Sequence, residues 1–117
     1  MEAGPHSCYP CVMAATVDPV LTRFRAALDA AYGARIERVV LFGSRARGDA
    51  RPDSDYDVAV FLRDYRSFGR EIEPLASIET EILSDTGALI SALPLPAGSY
   101  NNRTGLMHEM RREGIDL

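Results

Sequence analysis

A chain of 117 residues is long enough for one compact core and too short for two ordinary domains. With 46% hydrophobic and 26% charged residues it reads as a folded globular protein, and a net charge of −4 excludes broad attraction to nucleic acid or to an anionic membrane, so any phosphate binding must be local. No apolar run reaches the ~20 residues of a membrane helix, and the start lacks the basic segment and apolar core of a signal peptide; a cytoplasmic protein is the expectation.

Residues 1–17 show no periodic apolar pattern and read as a loosely ordered tail, with the folded domain over 18–117. Cys8 and Cys11, with His6 nearby, offer at most three ligands where a structural zinc site needs four, and no buried strand precedes them as a redox motif requires. They are assigned no role. Asp18-Pro19 is a helix start, Asp18 capping and Pro19 in the first turn, where a missing N–H costs nothing. Val20, Leu21, Phe24, Ala27, Leu28, Ala31 and Tyr32 recur at helical spacing, and Gly33 supplies the stop. Ile36 to Phe42, β-branched and apolar, predicts a buried first strand closed by Gly43.

Between Ser44 and Ser54 the composition predicts a short helical turn and a loop, with Gly48 and Asp49 forming a turn, and Asp55 to Leu62 follows as a second strand. Ile72, Leu75, Ile78, Ile82 and Leu83 form a helical stripe ending before Gly87, with Pro74 expected in its first turn. Ala88 to Leu93 predicts a third strand stopped by Pro94 and Pro96, and Thr104 to Arg112 a final helix stopped at Gly114.

Two stretches carry chemistry. A buried strand running into Gly43-Ser44 and a helical turn presents free backbone N–H groups, and Gly43 lets a phosphate approach the main chain closely. Ser44 adds a hydroxyl, while Arg45, Arg47 and Arg51 concentrate positive charge in an otherwise acidic chain. On the next strand Asp55 and Asp57 lie two residues apart and so share a face, about 6.6 Å apart along the backbone, with Tyr56 and Val58 on the other. Two carboxylates so placed repel unless a cation lies between them, and Mg²⁺ accepts such a pair while keeping positions for phosphate oxygens. An acid leading directly into Val58-Ala59-Val60-Phe61-Leu62 needs such a partner. A triphosphate held by this turn and this ion is set for in-line attack on its α-phosphate, with pyrophosphate leaving. His108 reads as a surface residue, and nothing in the spacing selects Tyr56, Tyr65 or Tyr100 as a nucleotide acceptor.

Leu41-Phe42-Gly43-Ser44-Arg45-Ala46-Arg47-Gly48, the run Ser54-Asp55-Tyr56-Asp57 ten residues beyond the Gly-Ser pair, and the ending Arg111-Arg112-Glu113-Gly114-Ile115 resemble minimal nucleotidyltransferase domains of the DNA-polymerase-β-like superfamily, often encoded as antitoxins beside HEPN-domain toxins. The resemblance covers about 18–117. It implies an α+β fold with a small mixed sheet of about three or four strands and helices packed on one side of it. It also implies a catalytic set of Ser44, Asp55 and Asp57, metal (Mg²⁺ or Mn²⁺) on Asp55 and Asp57, and nucleotide at Gly43, Ser44, Arg45 and Arg47. ATP is the implied substrate and a HEPN-type protein the implied partner, with self-pairing as a second partner reading. One departure stands out. Active members commonly carry a third carboxylate on the strand after the connecting helix, where this chain reads Ala-Leu-Ile-Ser-Ala-Leu, with Ser91 the candidate for that place. Glu79, Glu81 and Asp85 on the preceding helix would substitute only if that helix turned them toward the site.

Three functions compete on these grounds. AMP transfer from ATP to a hydroxyl of a partner toxin leads; a degenerate binding module that neutralises its partner by occlusion is second, motivated by the missing acid. Adenylylation of a small molecule such as an aminoglycoside ranks last, since those enzymes carry a substrate domain that this length does not accommodate.

Overall fold

The computed structural model describes residues 18–117; Cys8, Cys11 and the expected tail lie outside that range. Helix α1 (Pro19–Tyr32) leads through a short 3-10 turn to β1 (Ile36–Phe42), the short α2 (Ser44–Arg47) and β2 (Tyr56–Leu62). Helix α3 (Phe68–Thr86), β3 (Ile90–Pro96), a second 3-10 turn, α4 (Gly105–Glu113) and β4 (Ile115–Asp116) follow. The sheet order is β3-β2-β1-β4; β1 pairs antiparallel with β2 and β4, and β2 parallel with β3, so the sheet is mixed and the fold α+β. A parallel neighbour cannot be reached by a hairpin, and α3 is the crossover that β2 and β3 require.

Asp18 caps α1 as expected, accepting from the Val20 N–H at 2.9 Å. One face of the sheet (Val39, Leu41, Tyr56, Val58, Val60, Leu62) packs on Leu21, Phe24 and Leu28 of α1 and on Leu75 and Ile82 of α3. The opposite face (Val40, Ala59, Phe61) is covered by Met107 and Met110 of α4, with Tyr100 set edge-on against Phe61 at 5.7 Å. Helices therefore lie on both sides of the sheet, not on one, because β2 is apolar on both faces and each face needs cover. Asp57 is the one charged residue within that strand.

Three elements differ from the sequence reading. Helix α3 begins four residues before its apolar stripe, capped by Ser67, whose hydroxyl accepts from the Arg70 N–H, so Pro74 lies in the helix interior rather than in its first turn. The early turn was hidden because Phe68 points outward, 51% exposed, and adds nothing to the stripe. Strand β3 runs through Pro94 to Pro96 instead of stopping before them. It is an edge strand, and its even-numbered residues turn their backbone nitrogens away from β2: the Ala92 N–H donates outward to Glu79 while the Ala97 N–H donates to Leu62. Proline at 94 and 96 thus gives up no ladder bond. Strand β4, two residues pairing with Val40 and Leu41, was not anticipated, since two residues carry no periodicity.

Glu79 closes this edge at 2.7 Å from the Ala92 nitrogen, and burial holds its carboxyl above the ordinary range despite that hydrogen bond. An acid with a raised folded pKa weighs against the fold once ionised. Glu79→Gln, whose amide oxygen still accepts the bond, is therefore expected to match or exceed the native stability at pH 7, and the difference to close as pH falls through the carboxylate range. Glu79→Ala is expected to lose about 1 kcal/mol. Urea unfolding midpoints at pH 4 and 7 measure both.

At the far end of β2, buried Glu71 accepts from the Arg35 guanidinium at 2.9 Å and from the Arg66 N–H at 3.1 Å. Burial pushes its carboxyl up, but those two hydrogen bonds and the Arg35 and Arg70 charges outweigh it and hold the group below its usual value. No described helix is long and apolar enough to cross a membrane.

Candidate active site

Strand β1 ends at Phe42, whose register partner on β2 is Asp57, so the turn that follows β1 emerges beside that acid. Gly43 then takes φ 78° and ψ −159°, a conformation essentially reserved for glycine. Its carbonyl accepts from the N–H groups of Ala46 and Arg47, both at 3.1 Å, which starts α2 and leaves the N–H groups of Ser44 and Arg45 ahead of the helix's own bonding. A Cβ built on Gly43 would collide with the Asp57 carboxylate, with the Asp57 Cγ at 3.2 Å. Gly43 is therefore required here by backbone geometry, and an added methyl would in addition displace the Asp57 carboxylate.

Asp55 stands exposed just before β2, and Asp57, partly buried, on its second residue. Burial raises the Asp57 pKa first, the Asp55 charge raises it further, and the Arg47 charge opposes both. The two acids thus lie close enough for one charge to act on the other, while Tyr56 and Val58 enter the core. A divalent cation between the carboxylates would relieve both contributions that raise Asp57, so the donor set suits one such ion. On the neighbouring β3 the residue in register with Asp57 is Ser91, exposed. The position beside Asp57 on β3 thus carries a hydroxyl. Among the described residues no three His, Cys, Asp or Glu side chains group together. The three helix acids turn elsewhere: Glu79 to Ala92, Asp85 into an ion pair with Arg23 at 2.6 Å, and Glu81 to solvent.

The arginines divide by task. Arg45 reaches back over the 48–55 loop, its guanidinium donating to the Ser54 carbonyl at 2.8 and 3.1 Å and to the Pro52 carbonyl at 3.2 Å. The same group lies 3.9 Å over the Tyr56 ring, and the Tyr56 hydroxyl donates to Asp18 at 2.8 Å. Burial, then that bond to Asp18 and its charge, push the Tyr56 hydroxyl up to about 12, against Arg45. Asp18 thereby pins both the start of α1 and the strand that carries the acids, a link between distant residues that no local pattern announces. Arg47 stays at the site: its Nε donates to Asp49 at 3.3 Å, and its Nη1 lies 3.7 Å from Glu113 at the end of α4. Gly48 and Asp49 form the expected turn, the Asp49 N–H donating to the Ser44 carbonyl.

Of the residues singled out in the sequence, the structure sets Gly43 against the Asp57 carboxylate, with Ser44 next to Gly43 in the chain and the charges of Asp55 and Arg47 felt at Asp57, while Arg45 is committed to shaping the loop. His108 is exposed on α4, and Tyr100 packs under Arg38 and against Phe61, away from the acids. An open cleft lined by Arg35, Asp64, Arg66 and Arg70 lies at the opposite end of β2 and includes none of the five.

Known proteins give a consistent answer. Residues 30–117 match the family model described as polymerase beta, nucleotidyltransferase. No curated protein matches the chain in sequence. Among solved structures it is similar to a toxin-antitoxin with AMP-PNP (17% identity, TM-score 0.57, covering 80% of this chain and 68% of that one). It is likewise similar to a mutant of the toxin-antitoxin MntA-HpeT (16%, 0.59, covering 81% and 69%). A candidate nucleotidyltransferase from Sulfolobus solfataricus matches at 16% identity and TM-score 0.53, covering 99% of this chain and 89% of that one. With the family model spanning β1, the Gly43-Ser44 turn, both acids and the C-terminal strand, the chain belongs to the polymerase β nucleotidyltransferase family.

Proposed function

We propose that this chain transfers AMP from ATP to a hydroxyl of a partner protein, as the antitoxin of a HEPN-type toxin-antitoxin pair, in the cytoplasm. The observation that carries the proposal is the close approach of Gly43 to the Asp57 carboxylate, which supports reading the turn as a phosphate cradle beside an acid that would hold metal. Likeness to a toxin-antitoxin structure with AMP-PNP supports an adenine nucleotide and a protein partner. The acceptor oxygen would bond to the α-phosphorus as the bond to the bridging oxygen of the β-phosphate breaks, pyrophosphate leaving and the acceptor proton passing to water or to one of the two acids. Mg²⁺ or Mn²⁺ held by Asp55 and Asp57 would supply charge stabilisation on the phosphate oxygens. Gly43 and Ser44 would orient the polyphosphate through backbone and hydroxyl donors, Arg47 would add a fixed positive charge, and Arg45 would hold the loop that delivers Asp55.

The test is incubation of the chain and its partner with ATP labelled at the α-phosphate and Mn²⁺. A mass gain of one AMP on the partner, lost with Asp55→Asn, is expected; an unmodified partner would refute transfer. One observation favours a second reading: the hydroxyl of Ser91, in place of an acid, lies in register with Asp57. In that reading the fold only occludes the partner, and Asp55→Asn neutralises a toxin as well as the native chain does.

A further inference from the structure

Among the described residues, Glu113 is a carboxylate one of whose oxygens has no hydrogen-bond donor. Its Oε1 is buried from solvent and accepts no hydrogen bond from the described residues, while its Oε2 meets Arg112 at 3.3 Å. A buried carboxylate oxygen left without a donor weighs against the fold, and an apolar residue there would not. The Arg47 Nη1 lies 3.7 Å from the orphaned oxygen, just beyond hydrogen-bond reach. This juxtaposition is fixed from both sides. Gly114 packs so closely on β1 that a Cβ there would come within 2.5 Å of the Val40 side chain and of the Met110 carbonyl, which sets where Glu113 leaves α4. Arg47 is tied at its backbone to the Gly43 carbonyl, one turn from the site.

The geometry points to Glu113 as a positioning residue: its buried oxygen holds the Arg47 guanidinium beside the Gly43-Ser44 turn, so that a nucleoside triphosphate meets a cation already in place. Among the described residues the hydrogen-bond acceptor of the Arg47 side chain is the exposed Asp49, two residues along, at a marginal 3.3 Å, with the Glu109 charge also felt. Polyphosphate arriving at the turn would draw Arg47 from Asp49, whereas a rotation of the same guanidinium closes the gap to Glu113 without leaving the site. This inference rests on the nucleotide reading above and adds to it a residue from the C-terminal helix.

The sign of the effect separates positioning from simple charge. Removing an anion near a polyphosphate site should tighten binding through space; removing the residue that orders Arg47 should weaken it. With AMP-PNP and Mg²⁺ as the probe in isothermal titration calorimetry, Glu113→Gln is expected to weaken binding about tenfold, the scale of one hydrogen bond to a charged group. Glu113→Asp is expected to recover part of that loss. In the Arg47→Gln background, Glu113→Gln should change nothing further, since the two act as one unit. Native binding that Glu113→Gln leaves unchanged or tightens, or losses that add independently of Arg47, would overturn the positioning role alone. Absence of AMP-PNP binding by the native chain would instead overturn the nucleotide reading, and the inference with it. Thermal melts of every variant show whether a loss is one of folding, and a folded Glu113→Gln with native affinity counts against the inference.

Discussion

Asp57→Asn is expected to reduce nucleotidyl transfer on the order of 10³-fold while raising the temperature of unfolding in EDTA. The loss follows from removing one of two charges that would hold the metal and, through it, the phosphate oxygens. The gain follows from the environment of the native acid. Asp57 stands on a strand otherwise wholly buried, and its carboxyl is held above its ordinary range by burial and by Asp55, more strongly than Arg47 can offset. A carboxyl whose folded pKa is raised binds its proton more tightly folded than unfolded. Its ionisation therefore works against folding from the unfolded pKa upward, fully so above the folded one. The stability gap between Asn variant and native chain should accordingly be widest near pH 7 and shrink as pH falls through the carboxylate range. Calorimetric scans at pH 4, 5.5 and 7, with transfer assayed on the same samples, test both halves. An Asn variant that melts lower than the native chain at pH 7, or that transfers AMP at the native rate, would contradict this placement of Asp57.

Gly43→Ala is expected to abolish nucleotide binding and to destabilise the fold by about 1–3 kcal/mol, the scale of a residue forced into a glycine-only backbone region. Its φ of 78° with ψ of −159° suits no L side chain, and the added methyl would displace the Asp57 carboxylate. Gly98→Ala supplies the control. That glycine also has positive φ, 91°, but a Cβ there meets nothing within 4 Å. It should lose about 1–2 kcal/mol with AMP-PNP affinity intact. Urea unfolding and calorimetric titration of the two variants separate backbone strain, common to both, from damage to the site, unique to Gly43. Equal loss of affinity in both would show that the Gly43 effect is global.

Much of this was legible in the chain, for identifiable reasons. Strands β1 and β2 and helix α1 announced themselves because their apolar residues face a core at the period of the element, and because Asp18 and Gly33 bound the helix by local chemistry. The pairing of Gly43 with Asp57 was foreseeable as a proposition, since a strand ending in Gly-Ser and an Asp-x-Asp entering the next strand need only an antiparallel register to meet. What failed was whatever depended on surroundings. Pro94 and Pro96 read as stops because proline breaks a ladder, yet on an edge strand those nitrogens face away from the neighbour. Pro74 read as a helix start because the true first turn sets no apolar side chain into the core: Phe68 is exposed, and the residue it buries is the acid Glu71.

By itself, then, the sequence determined the elements with strong periodicity, the identity of the turn and the two acids, and the absence of a third acid in 88–93, since each is a matter of residue type at fixed spacing. Only the tertiary structure decided that α4 covers the second face of the sheet, that Ser91 lies in register with Asp57, and that Asp18 anchors Tyr56. It also decided that Arg45 serves the loop while Arg47 stays with the acids beside Glu113. Most of these are contacts between residues far apart in the chain. Side-chain charge and length allow each of them many partners, and packing alone selects one.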